Sequence, residues 1–165
     1  LSRDLIPGSK SMETGFNLYD AIKGEDDLGV VIRSHIIVEK SLNLFVESLT
    51  SDKEEFRKLN LGFEETVKLA VALGLTERFK KPLCSLVRLR NRFAHTIRSE
   101  ISAQDATNLY KSFRGEDKGI LHEALAKTRK ELSDHKIDEY KKLPPRLKYI
   151  FNVVVLNVGL EAACR

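Results

Sequence analysis

The chain has 165 residues, 42% apolar and 32% charged, which is enough to bury a core and ordinary for one globular domain. No Trp, few Gly and Pro, and abundant Leu, Lys, Glu and Ala favour helix over sheet. Only two cysteines, Cys84 and Cys164, are present, which excludes a disulfide framework and makes a reducing cytoplasm the expected compartment.

Residues 1–22 are expected to be an N-terminal tail or a tag-derived segment, with one helical domain over 23–165. Asp26-Asp27 before Leu28 marks a helix start, because acidic residues favour the N-terminal end of the dipole. Leu28, Val31, Ile32, Leu42, Phe45, Val46 and Leu49 recur at helical spacing and predict a long first helix ending at Thr50-Ser51. His35 and Glu39 lie one turn apart in its stripe. Ser51 to Asn60 is polar, a loop with some helix. A second helix opens at Gly62-Phe63 and stops at Gly74. Thr76 caps a third that runs to about His95, with Pro82 kinking or splitting it. Ser102-Ala103-Gln104-Asp105 resembles a cap with an acidic first turn, leading a helix to Phe113. Arg114 to Asp117 is expected to be a turn. Ile120 to Leu132 is helical, and Ser133 to Leu143 is charged, continuing that helix or looping out. Pro144-Pro145 begins the last helix, with Leu147, Ile150, Val154, Asn157 and Val158 on its stripe. The sum is an all-α fold, a single bundle of about five to seven helices. The longest apolar-rich stretch, Tyr149 to Ala163, contains Asn152, Asn157 and Glu161 and is too short and polar to span a bilayer, so no membrane contact is expected.

Charge is unevenly spread. Residues 1–75 hold 9 Lys/Arg against 13 Asp/Glu, whereas 76–98 hold seven basic residues and one acid. Such a band can attract phosphate or an acidic partner, or it can be a solvated face paired with the acidic first half.

Within that band, Arg90-Asn91-Arg92-Phe93-Ala94-His95 follows the apolar run Leu83 to Leu89. On a helical wheel Leu83, Leu86, Val87, Phe93 and Ala94 cluster around Arg90. An arginine in an apolar stripe must be paired or reach a cavity, and Glu39 is the expected partner, with His35 and Asn91 as secondary candidates. His95 lies about 140° further round an ideal helix, so Arg90 and His95 do not converge within one helix: either the helix ends or bends here, or two copies of the motif meet across a dimer. Two readings stay open. In one, His95 is the general acid or base of a metal-independent phosphodiester reaction, Arg90 stabilises charge on the phosphate and Asn91 orients either. In the other, Arg90 and Glu39 fix helix packing and His95 caps the helix C-terminus.

Other constellations are weaker. His35 and Glu39 are spaced like metal ligands, but nothing nearby completes a set, so neither a metal nor a cofactor is expected. Cys84 reads as a small buried hydrophobe, and His122 and His135 as solvated. No phosphate-binding glycine loop, nucleophile elbow or recognition helix is present, and direct sequence-specific DNA binding is unsupported.

Ile32 to Asn43 resembles the first long helix of the mannitol operon repressor (MltR-like) family. Leu61 to Ala70 with Ala72-Leu73-Gly74-Leu75 is similar to that family's second block, and Leu89 to His95 to its third. The third block also resembles the signature of the wider HEPN group of helical domains. That likeness implies a helical bundle, self-association as a homodimer and a role in regulation. Many of that group are metal-independent ribonucleases with the site at a dimer interface, and others are non-catalytic interaction domains. Carried over residue by residue, Arg90, Asn91 and His95 take the motif positions, while Glu39, His35 and Arg92 match supporting ones. Two functional expectations follow. One is a transcription-associated regulator working through a protein partner. The other is an endoribonuclease whose basic band holds RNA. A sequence-specific DNA-binding repressor is the weakest reading.

Overall fold

A computed structural model describes residues 18–96, 100–131 and 140–164, with the side chains of 127–131 excepted. These residues form an all-α bundle without strands. Residues 18–22 are helical. They are followed by α1 (Asp27–Leu49), α2 (Lys53–Lys58), α3 (Phe63–Ala72), a 3₁₀ turn (Glu77–Phe79), α4 (Lys80–Ala94), α5 (Ala103–Ser112), α6 (Gly115–Glu131), a 3₁₀ turn (Tyr140–Lys142) and α7 (Pro145–Ala163). With the piece at 18–22 that makes eight α-helical segments, slightly above the expected count.

The bundle is organised around α1 and α7. Val30, Val31, Val38, Leu42, Phe45 and Val46 form the buried stripe of α1, on the i, i+3, i+4 pattern of a helix with one face in the core. It meets Tyr149, Ile150, Val153, Leu156 and Leu160 of α7. Two polar ties fix their register. Ser34 Oγ shares a hydrogen bond with Tyr149 Oη at 3.2 Å, and Ser41 Oγ donates to Asn157 Oδ1 at 2.8 Å. Both numbers ascend together, so α1 and α7 run in the same direction. Asn152 and Asn157 are buried but satisfied, Asn152 accepting from Tyr140 and donating to the Ala106 carbonyl, as buried amides require. Gly159 lets α7 approach the first 3₁₀ turn closely, since a Cβ there would lie 2.9 Å from the Phe79 ring.

Helix ends obey their local chemistry. Asp26 caps α1 by accepting from the Gly29 N–H. Gly74, at φ +109°, closes α3, with Leu75 N–H bonding back to Ala70 O and Gly74 N–H to Val71 O, the Schellman pattern. Of the two outcomes expected at Pro82 the split is the one found: a separate 3₁₀ turn, Glu77–Phe79, precedes α4, which starts at Lys80, and Pro82 sits in its first turn, where its missing N–H has no helical partner to lose.

Several expectations are corrected. The tail was expected to reach residue 22, but Leu18 and Ile22 are 2% and 0% exposed and belong to the core. Leu28 and Leu49, read as stripe residues, are 46% and 50% exposed, because the buried arc of α1 centres on Val30, Val31 and Ser34 instead. Gly115 to Asp117 is not a turn but the first turn of α6, with Glu116 and Asp117 at its positive end. Cys84 is half-buried. Leu132, His135 and most of Ser133–Leu143 lie outside the described residues.

Candidate functional site

Helix α4 buries Leu83, Leu86, Val87, Leu89 and Phe93. Over its last turn the covered side narrows to Leu89 and Phe93, while Arg90, Asn91 and Ala94 face outward. The expected Arg90–Glu39 ion pair is therefore not formed. Arg90 is exposed and donates from Nη1 to Asn91 Oδ1 at 3.1 Å. No carboxylate among the described residues is recorded as its ion-pair partner. A wheel places Arg90 in the apolar arc, but at the helix end that part of the arc has lost its cover, and a long cationic side chain takes the exposed path.

Arg92 carries the structural ion pair instead. Its Nη1 and Nη2 donate to Asp105 Oδ1 and Oδ2 at 2.6 and 2.7 Å, the two-pronged geometry that guanidinium and carboxylate favour. Asp105 also accepts from the Ser102 N–H and Oγ, and Ser102 in turn caps Asp105 N–H. Burial pushes the Asp105 carboxyl up, but the hydrogen bonds from Arg92 and Ser102 outweigh it and hold the acid below its ordinary value. The capping box is legible in Ser102 to Asp105. Its second task, clamping α4 to α5, is not, because the partner lies 13 residues away and on another helix.

His95 is the residue just beyond α4. Its N–H bonds back to the Arg92 carbonyl at 3.2 Å, Thr96 Oγ1 donates to the same carbonyl, and its side chain is exposed. No hydrogen bond among the described residues joins it to Arg90 or Asn91, so one chain does not bring the three together as a closed site. Of the basic band, Arg78 and Arg92 pair with Asp117 and Asp105 from the second half of the chain, not with the acidic first half. Lys80, Lys81, Arg88 and Arg90 are exposed.

On α1 stands His35. It is 5% exposed, its ring lies 4.7 Å from the Phe63 ring, and Nδ1 has no hydrogen-bond partner among the described residues. Nε2 lies 3.8 Å from Glu39 Oε2, too far for a hydrogen bond. Burial, reinforced by the positive charge of Arg90, lowers its pKa to about 4, so the imidazole is neutral at pH 7 and its approach to Glu39 is not an ion pair. Beyond Glu39 the exposed face of α1 forms a shallow open groove of about 430 Å³, lined by Ile36, Lys40, Leu44, Glu47 and Arg57 among others.

His122 is exposed, as expected, and also shares a hydrogen bond with Tyr110 Oη at 3.1 Å and packs edge-on against Tyr140. Among the described residues no three His, Cys, Asp or Glu side chains gather as metal ligands do, and no helix is long and apolar enough to cross a membrane. No family model, curated protein or solved structure matches this chain.

Proposed function

We propose that this chain is an RNA-acting regulatory protein of the cytoplasm, a metal-independent endoribonuclease that works as a homodimer. The observation that carries the reading is Arg90: exposed, hydrogen-bonded to Asn91 and without a recorded carboxylate partner among the described residues. A guanidinium left open in this way is suited to a phosphate oxygen. Lys80, Lys81 and Arg88 on the same helix add positive charge for an RNA backbone.

In the proposed reaction His95 removes the proton from a ribose 2′-hydroxyl. The 2′-oxygen attacks the adjacent phosphorus, and the bond to the 5′-oxygen breaks, leaving a 2′,3′-cyclic phosphate. A protonated imidazole returns a proton to the departing 5′-oxygen. Arg90 stabilises the charge that gathers on the phosphate, and Asn91 holds Arg90 in place. Because no hydrogen bond among the described residues joins His95 to Arg90 or Asn91, the reading takes two copies, one supplying each group to a shared phosphate.

The test is incubation of the purified chain with mixed single-stranded RNA in EDTA, beside folded His95→Ala and Arg90→Ala variants. Cleavage that persists in EDTA and falls by roughly 10²-fold or more in each variant is the expected result. Equal cleavage by the parent and both variants would reject the assignment.

A second reading is a transcription-associated regulator acting through a protein partner, as the mannitol operon repressor resemblance implies. It is favoured by Ile36 and Leu44, which are 56% and 50% exposed on one face of α1 above the groove. Inert RNA chemistry together with loss of a regulatory complex on Ile36→Glu would select it.

A further inference from the structure

The basic band of α4 carries no exposed aromatic ring, since Phe79 and Phe93 are both buried. A second basic surface does carry one. Tyr110 of α5, His122 of α6 and Tyr140 of the second 3₁₀ turn form one aromatic cluster. The Tyr110 and Tyr140 rings are stacked with centroids 4.8 Å apart. Tyr140 is held rigidly: it is buried with Leu121, Leu125, Leu143 and Phe151, and its hydroxyl donates to Asn152 Oδ1 at 3.1 Å. His122 stands on this floor, exposed, with Nε2 3.1 Å from Tyr110 Oη. A hydrogen bond at a ring nitrogen lies close to the ring plane, so Tyr110 meets the edge of the imidazole. Tyr140, tilted 75° to that ring with centroids 5.4 Å apart, covers one face at most. The ring is therefore fixed in orientation, with a face that neither tyrosine covers. Cations surround it. Lys118, one turn before His122 on the same face of α6, holds Nζ 5.1 Å from the Tyr110 centroid, and Lys148 holds its Nζ 5.9 Å from that of Tyr140. No carboxylate among the described residues is recorded as the partner of either. Residues 140–148 contain four basic side chains and no acid. On α6, Asp117 and Glu116 lie against Arg78, and Glu123, beside His122, is exposed.

We propose that this cluster is a base-stacking site for a single-stranded nucleic acid: a base lies on the open face of His122, and an adjoining phosphate contacts Lys118. An aromatic face accepts any base and lysines follow the backbone, so the strand is held without sequence readout. A duplex is a poor ligand, because its base faces are hidden in its own stack. The inference rests on the reading of the chain as RNA-acting, for which it adds a second contact on helices other than α4. It requires neither cleavage nor the motif at Arg90.

The experiment measures, by fluorescence anisotropy, binding of the full chain to two short single strands over a range of salt. One is a 2′-deoxy oligonucleotide of mixed sequence, which lacks the attacking hydroxyl. The other is an abasic strand of the same length and charge. The parent is expected to prefer the strand that carries bases. His122→Ala, a change at an exposed position, should weaken that strand by roughly 5-fold or more and leave the abasic strand unaffected. His122→Phe keeps a flat face without the ring nitrogens and should restore the preference. Lys118→Gln should reduce the slope of log affinity against log salt by about 0.7. Equal binding of the two strands by the parent would overturn the inference, since charge alone would then recruit any acidic partner. A His122→Ala variant that binds like the parent, a His122→Phe variant that binds like His122→Ala, or an unchanged salt slope in Lys118→Gln would do the same. The two proposals fail separately. Stacking through His122 without RNA cleavage removes the nuclease reading alone, whereas cleavage that depends on Arg90 and His95 beside an inert His122→Ala change removes this inference alone.

Discussion

At the scale of single residues, His35 has the clearest consequence. Its folded pKa is about 4 against an ordinary 6.5, chiefly through burial and secondarily through Arg90. Between those values the unfolded chain binds the proton and the folded chain does not. Stability therefore rises with pH through that window: His35 costs nothing above about pH 6.5 and its penalty grows as pH falls towards 4. Urea unfolding at pH 7 and pH 4.5 should show the parent losing roughly 2–3 kcal/mol relative to His35→Leu. Parallel pH dependence in the two proteins would mean that the ring is hydrated rather than buried. The position of His35 on the first helix and its turn-apart spacing from Glu39 are legible in the sequence. The orphaned nitrogen is not, since it depends on what α3 and α4 place around the ring.

At the scale of elements, two arginines two positions apart on α4 have opposite roles. Arg92 joins α4 to α5 through Asp105, whose side chain is 8% exposed. Removing Arg92 leaves that carboxylate buried without its cation, and Arg92→Ala should cost about 2–3 kcal/mol, less than a fully buried pair because Arg92 itself is half exposed. Arg90→Ala should stay within about 0.5 kcal/mol of the parent. Thermal melts of the two variants decide this directly, and a reversal of their order would restore the buried Arg90 that the apolar stripe predicts. The stripe misleads here for a physical reason. A helical wheel assumes uniform cover along the helix, and α4 loses part of its cover in the final turn. The helix boundaries fared better, because Asp26, Gly74, Ser102 and Pro145 act on their own neighbours.

At the scale of the whole molecule, α1 and α7 form the frame, and the motif lies at the exposed end of α4. A site divided between two copies makes a prediction that no single-chain site shares. Arg90→Ala and His95→Ala, each inactive alone, should recover activity on mixing and exchange. One of the two sites in each mixed dimer then has both groups, so about a quarter of all sites are intact. Failure of mixed, exchanged and folded variants to recover cleavage would place Arg90 and His95 in the same site of one chain.

What the sequence determined by itself is the all-α class, the order of the main helices, most of their caps and the motif Arg90 to His95. All of these follow from interactions within a few residues: the 3.6-residue period, the side-chain caps and the glycine stop. Only the tertiary structure decided that Leu18 and Ile22 are core, that Asp105 holds Arg92, that Arg90 is open and that His35 is sealed. Each of those depends on groups that are distant along the chain. Pairing and burial are properties of the packed surface, and a one-dimensional pattern carries no record of which surface a side chain will meet.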